Sequence, residues 1–287
     1  MELAEARDAA WRCHRVLDPL HSMIYFAPEA EERLTGAGLR PGRMCYFASR
    51  SAAFGAVGPG VVAATFYNFN PVLVARHIPR AWTLASPADI IAARFEAVDG
   101  ALRRLLGEEA IASPEMAEAA ELARAASEGC YPDGRPLYAA HANLDWPTEP
   151  HLVLWHAISL LREFRGDGHI AALVSNGLDG LPALITHTAT GRGFIEDAAK
   201  TTRGWSDDEW AVAKQSLVDD GIIEDNALTE KGNQLRQRIE DTTNDLTADV
   251  WVKLGPDKAS RLHDLGRTFA RQVSAAGAFP GIFSSRR

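Results

Sequence analysis

The chain has 287 residues, 46% of them hydrophobic, with 30 Lys and Arg against 38 Asp and Glu for a net charge of −8. That length suggests two domains of about 150 residues each, and the acidic balance argues against the broad basic footprint of a general nucleic-acid binder. Cys13, Cys45 and Cys130 have neither zinc nor redox spacing and build no disulfide framework, so a reduced, cytoplasmic setting is expected.

Glu2, Glu5 and Asp8 replace the basic start of a signal peptide. The most apolar stretch, 52–69, is broken by Gly55, Gly58, Pro59 and Gly60, too interrupted for a membrane span of about 20 residues. Residues 3–17 have a helical pattern, with Trp11 as the expected core anchor. Asp18-Pro19 then pairs a capping residue with a proline suited to a first helical turn, so a new helix carrying Leu20, His21, Ile24 and Tyr25 is expected there. A short helix from Pro28 to Leu34 ends at Gly36 and Gly38, and Pro41-Gly42 opens the segment 43–50. Val61 to Tyr67 fits either a strand or a buried helix. Asn70-Pro71, Ser86-Pro87 and Ser113-Pro114 repeat the cap-plus-proline device. The helix from Ser86-Pro87 reaches Leu106, with Ile90, Ile91, Phe95, Val98, Leu102 and Leu105 at helical spacing. Residues 131–150 hold Pro132, Pro136, Pro147 and Pro150. They are expected to be a long surface connection, dividing a helical N-terminal domain, 1–148, from a second domain, 149–287.

His151 to Phe164 is a strongly apolar helix. Arg165-Gly166-Asp167-Gly168 should break it, with Asp167 capping a new helix from His169 to Val174. Further helices are expected at 181–190 and at 207–220, the latter opened by the capping box Ser206/Glu209. Ile222-Ile223-Glu224 and Ala227-Leu228-Thr229, joined by Asp225-Asn226, should form a tight hairpin. Thr229 caps a long helix to about Leu254, a last helix spans 257–275, and the tail from Gly277 is expected to be loose. The fold class is therefore mainly α: a helical N-terminal domain and a C-terminal winged helix-turn-helix with a small β-hairpin wing.

The run Leu217 to Asp225 followed by Leu228-Thr229-Glu230-Lys231-Gly232 resembles the third helix and wing of MarR-like regulators. The chain as a whole resembles two-domain actinobacterial proteins grouped as a helix-turn-helix family. The resemblance is carried by Leu20-His21 with Tyr25 to Glu29, Tyr46 to Arg50, Phe66 to Pro71, Arg162 to His169, and Gly204 to Trp210. His156 departs from the glutamine expected there. The resemblance implies an architecture and little chemistry.

In a winged helix the third helix enters the major groove, and affinity comes largely from Lys and Arg against phosphates. From Trp205 to Glu230 there are eight acidic residues and one basic residue, Lys214, a balance of −7. DNA is therefore an improbable partner for this segment, and the scaffold alone does not establish it.

The richest candidate chemistry lies in 162–169. His169, in the first turn of its expected helix, would be held neutral by the helix dipole and could serve as base or ligand. Asp167 would orient it, and Arg162 and Arg165 would hold an anionic group. His14, Asp18, His21 and Tyr25 share a face if the first helix is continuous, with His21 as acid/base and Tyr25 as donor. Asn68 and Asn70 could wall a pocket, although a helix cap also explains Asn70. Trp155 and His156 lie on the apolar helix and could contact a ligand, although a lone histidine there is more often a satisfied core residue. No metal motif, phosphate loop or nucleophile elbow occurs, and the sequence names no cofactor.

These readings favour a protein that binds a small molecule near the domain junction, with an enzyme in view, on a winged-helix scaffold lacking a DNA surface. His21, Tyr25, Asp167 and His169 are the catalytic candidates. Arg162, Arg165, Asn68, Asn70, Trp155 and His156 are the ligand-binding ones. A MarR-like ligand-responsive regulator is the first alternative, and a haem or metal protein using one of the histidines is the second.

Overall fold

The computed structural model describes residues 1–191 and 194–279. Within them the chain is mainly helical, with a two-stranded antiparallel sheet. The helices in chain order are α1 (Leu3–Ser22), α2 (Pro28–Gly36), α3 (Arg43–Ser51), α4 (Pro59–Phe66), α5 (Pro71–Ala75), α6 (Pro87–Leu106), α7 (Glu108–Ile111) and α8 (Pro114–Ser127). They continue with α9 (Pro136–Ala142), α10 (Pro150–Ser175), α11 (Gly180–Ala189), α12 (Glu196–Arg203), α13 (Asp207–Asp219), α14 (Glu230–Leu254) and α15 (Pro256–Ala275). Proline opens α2, α4, α5, α6, α8, α9, α10 and α15, because a first-turn residue needs no amide hydrogen bond and benefits from a preset φ. The serine caps act as their spacing implies. Ser86, Ser113 and Ser206 accept from the backbone N–H of Asp89, Met116 and Glu209, and Glu209 returns the bond to complete a capping box. The segment at 61–67, open between strand and helix on sequence grounds, lies largely within α4. Among the described residues no helix is long and apolar enough to cross a membrane.

The chain forms two compact units, each assembled from separated stretches. The first takes Met1–Val57, His77–Gly168 and Asn244–Phe279; the second takes Gly58–Arg76 and His169–Thr243. Residues 149–168, grouped with the C-terminal half by their sequence, thus belong to the same unit as residues 1–57. In the first unit α1, α6, α8, α10 and α15 surround a core that includes Ala6, Cys13, Leu17, Met23, Val98, Met116, Ile158, Phe164 and Leu262. In the second, α11 and α13 pack around Leu184, Trp210, Leu217, Ile223 and Ile239. The strands β1 (Ile223–Glu224) and β2 (Ala227–Leu228) pair Ile223 with Leu228 and Glu224 with Ala227. Asp225 and Asn226 both adopt positive φ, 48° and 62°, as a tight two-residue hairpin turn requires. Thr229 caps the start of α14 by accepting from the Gly232 N–H.

Four expectations fail, each for a local reason. Pro19 does not start a helix; α1 runs through it to Ser22. Trp11 is 40% exposed and carries the Arg15 guanidinium over its ring, 4.9 Å from the centroid, instead of anchoring the core. Residues 131–150 are not a bare connection, since α9 buries Leu137, Tyr138 and His141. Most consequentially, 165–168 does not break the helix: α10 is continuous from Pro150 to Ser175. Asp167 therefore opens no helix of its own but accepts from the Tyr138 N–H in the first turn of α9, and His169 lies deep inside a helix, where the N-terminal dipole does not reach it. Of the tail from Gly277, residues from Pro280 onward lie outside the described residues.

The two glycines of that segment have different reasons to be there. A Cβ on Gly168 would land on the Arg135 guanidinium. That guanidinium cannot swing away freely, because it is buried and donates to the carbonyls of Phe164 and Leu246. A Cβ on Gly166 would meet only Glu163 Oε2, at 3.7 Å. Gly166→Ala is expected to stabilise the protein by about 0.5–1 kcal/mol through helix propensity, whereas Gly168→Ala should destabilise it by about 1–3 kcal/mol through overpacking. Urea denaturation of the two variants checks the opposite signs.

Candidate functional site

Within the first unit, helical spacing places polar side chains on faces that are otherwise apolar. His21 and Tyr25 lie four residues apart, because α1 runs on into a 3₁₀ turn, Met23–Tyr25. Tyr46 and Arg50 have the same spacing on α3. Arg94 occupies the buried stripe of α6, between Ile90 and Ala97. On α10, Trp155, Ser159 and Glu163 follow one another every four residues, with Arg162 beside them.

These side chains converge. His21, fully buried, stacks on the Trp155 ring with 5.3 Å between centroids and 5° between planes. Its Nδ1 lies 2.8 Å from Ser159 Oγ and its Nε2 lies 2.7 Å from the Tyr25 hydroxyl. Ser159 directs its own proton to the Trp155 carbonyl. His21 Nδ1–H therefore donates to Ser159, and Nε2 accepts from Tyr25. Burial pushes His21 well below the ordinary histidine value, helped by Arg162, and so keeps the imidazole neutral. Burial raises the Tyr25 hydroxyl, against the pull of Arg162, Arg50 and Arg94.

Glu163, 1% exposed, binds two arginines. Arg50 donates to it through Nε and Nη2, at 3.4 and 3.0 Å, and Arg162 through Nη1 at 2.9 Å. Burial alone would raise this carboxyl, but the two guanidinium groups overcome it and hold Glu163 well below the carboxylate range. Arg162 also donates to Asp18 at 3.0 Å, and Arg50 to the Tyr46 hydroxyl at 3.3 Å. Arg94, 5% exposed, lies over the Trp155 ring and donates through Nη1 to the Ser49 carbonyl. Nη1 also lies 3.2 Å from His141 Nε2. Burial pushes His141 down to about 4, so that ring too is neutral near pH 7. Beside Arg162 a cleft of about 30 Å³ is lined by His14, Asp18, Arg162 and Arg165 over Leu17, Ile158 and Phe164.

Of the residues singled out in the sequence, His21, Tyr25, Trp155 and Arg162 meet here. The others go elsewhere. Arg165 donates to Asn244 and lies 3.4 Å from Thr247. Asp167 accepts from the Tyr138 N–H, and burial raises it to about 6. It does not orient His169, which belongs to the second unit and pairs with Thr243 at 2.9 Å. Asn70 caps α5 by accepting from the Val72 N–H and donates to Glu209, while the Asn68 carbonyl accepts from Trp205 Nε1; both lie in the second unit. His156 packs edge-on against Trp146, 4.7 Å between centroids.

Arg50, Arg94, His141, Ser159 and Glu163 were missed. A charged residue in register with an apolar stripe, as Arg94 and Glu163 are, was the available signal. Among the described residues no group of three His, Cys, Asp or Glu side chains converges as a metal site would need.

A family model described as a helix-turn-helix family matches residues 10–280. The chain belongs to that family. No curated protein and no solved structure matches it significantly.

In this family member the geometry makes Glu163 indispensable to the site. Glu163→Gln should cost about 3–5 kcal/mol, because it leaves Arg50 and Arg162 buried without a counter-charge. Chemical denaturation measures that loss, and a cost under about 1 kcal/mol would contradict the ion-pair reading.

Proposed function

We propose that this protein binds a small molecule in its first unit and moves a proton on it, with Tyr25 as the group that meets the ligand and His21 as the group that exchanges the proton with Tyr25. The observation that carries this reading is the buried chain from Tyr25 through His21 to Ser159 and the Trp155 carbonyl. A tyrosine hydroxyl directed at a neutral imidazole can give up its proton to that ring as it takes one from a bound substrate, or run the transfer in reverse. The arginines around it favour the phenolate that forms on the way. Arg162, at the half-buried rim with Asp18, stands where charge on a ligand would be met.

The test is a native mass spectrometry and thermal-shift screen of the full chain against a metabolite library, followed by solvent deuterium exchange into any compound bound. At least one compound should bind. Tyr25→Phe should slow its exchange or conversion by about 10²–10⁴-fold while changing affinity less than about tenfold. A bound compound handled equally well by Tyr25→Phe, or a screen with no binder, counts against the proposal.

A ligand-responsive, MarR-like regulator is the second reading. It is favoured by the helix-turn-helix family and by the order α11, α12, α13, hairpin, α14. The charge of α13 and the hairpin opposes it. Lys214, the one cation there, is taken by Glu196 at 3.1 Å, and the exposed face of α13 carries Val212, 73% exposed, among acids. Duplex DNA from upstream of the coding sequence is expected to show no mobility shift at 50 mM salt. A shift that weakens steeply as salt rises would restore this reading.

A further inference from the structure

Arg94 differs from the other arginines of the buried cluster. Arg50 turns one edge of its guanidinium, Nε and Nη2, onto the two oxygens of Glu163. Arg94 has the same edge bare. Its Nη1 is engaged by Ser49 and His141, while Nε and Nη2, both buried, meet no acceptor. The ion pairs of the cluster pass it by: Glu163 takes Arg50 and Arg162, and Asp18 takes Arg162. Among the described residues no carboxylate pairs with Arg94. The histidines that feel its charge add none of their own at neutral pH, since burial brings His141 and His156 to about 4 and holds His21 well below the ordinary value. His156, 1% exposed, also leaves its Nε2 without a partner.

A buried guanidinium with two parallel N–H groups and no acceptor is shaped for one kind of partner. A carboxylate or phosphate presents two oxygens at the spacing of that edge, accepts both hydrogen bonds and cancels the charge. Such a group satisfies at once what water could satisfy only in part. We infer that Arg94 anchors the ligand by an oxyanion group, a carboxylate or a phosphate, held two-pronged by Nε and Nη2. This rests on the proposed binding site in the first unit and specifies its ligand class. The edge is closed to solvent, so the anion enters as neighbouring side chains part, and its association is slow compared with diffusion.

The test uses the full chain with sodium phosphate, phenyl phosphate and sodium benzoate, each titrated against sodium chloride at matched ionic strength. Thermal unfolding should rise saturably with at least one of them and not with chloride. A response to the phosphates alone assigns a phosphate ligand, and one to benzoate alone a carboxylate. Arg94→Lys keeps the charge but loses the two-pronged edge, and should weaken the apparent affinity at least about tenfold. In ¹⁵N–¹H spectra of the wild type, the Arg94 Nε–H signal, assigned by its contacts to the Trp155 ring, should move with the same titration. That spectrum decides the matter if Arg94→Lys does not fold. No saturable response to any of the three, equal affinity in Arg94→Lys, or an unmoved Nε–H signal overturns the inference. The oxyanion titration of wild type and Arg94→Lys involves no proton transfer, which solvent deuterium exchange in Tyr25→Phe reads, so failure of the anchor and failure of the proton-transfer reading are separately visible.

Discussion

The arrangement of the first unit depends on one buried carboxylate. Glu163 sits almost fully enclosed on a helix that is otherwise apolar, and it is tolerable there only because Arg50 and Arg162 both reach it. Those two contacts fix α3 against α10, and the further bond from Arg162 to Asp18 ties α1 to the same point. Buried ion pairs of this kind add little net stability compared with well-packed apolar side chains of the same volume. A core that only had to be stable would do as well with leucine and methionine at these positions. What the ion pairs do provide is position: they hold guanidinium groups beside Tyr25 and His21, where their charge changes the acidity of a phenol.

Two helices run on where local signals favour a break. α1 passes through Pro19, and α10 passes through Gly166 and Gly168, with His21 and Tyr25 just after the first point and Trp155, Ser159 and Glu163 just before the second. A proline inside a helix forfeits the hydrogen bond to the carbonyl four residues earlier. Here that loss falls in the last turn, next to the 3₁₀ turn that carries Tyr25, where the helix is ending in any case. Likewise Gly166 and Gly168 weaken α10 locally, but the segment is held by Arg135, which crosses Gly168 and caps the carbonyls of Phe164 and Leu246. At α10 tertiary bonds thus override local propensity, and at α1 the loss falls where the helix is already ending.

The same competition decides what could be read in the sequence. Serine caps, first-turn prolines, the Ser206/Glu209 box and the Asp225-Asn226 hairpin are local devices, satisfied by neighbours within a few residues, and all of them are legible. His21, Tyr25, Trp155 and Arg162 were legible as candidates because residue type and spacing marked them. The partners that give them meaning were not. Ser159 is 138 residues from His21 and Glu163 is 113 from Arg50, and no local pattern links them. The glycine-rich segment 165–168 misled for a related reason: glycine in a helix can mean a break or a close approach. Only the position of Arg135, far back in the chain, distinguishes the two. Asn68 and Asn70 misled less, since the cap at α5 was the simpler explanation of Asn70 and is the one observed.

The second unit shows how far a family name reaches. Membership in a helix-turn-helix family describes a fold, whereas attraction to DNA depends on cations at the surface. Lys200 is held by Glu196 and Asp207, and Lys214 by Glu196, and Lys231 donates to the Asp220 carbonyl. Each of these cations near α13 is committed to a neighbour, and the acids of the helix N-terminus, Asp207, Asp208 and Glu209, sit where they favour the helix dipole. The charges of α13 are therefore accounted for by the stability of the unit itself. In the first unit the reverse holds, since stability alone does not account for Arg94. Its contacts with Ser49 and the Trp155 ring offset part of the cost of enclosing this cation, but its two-pronged edge, Nε and Nη2, finds no acceptor. That contrast is why the chemistry of this chain is sought beside α6 and α10 and not on α13.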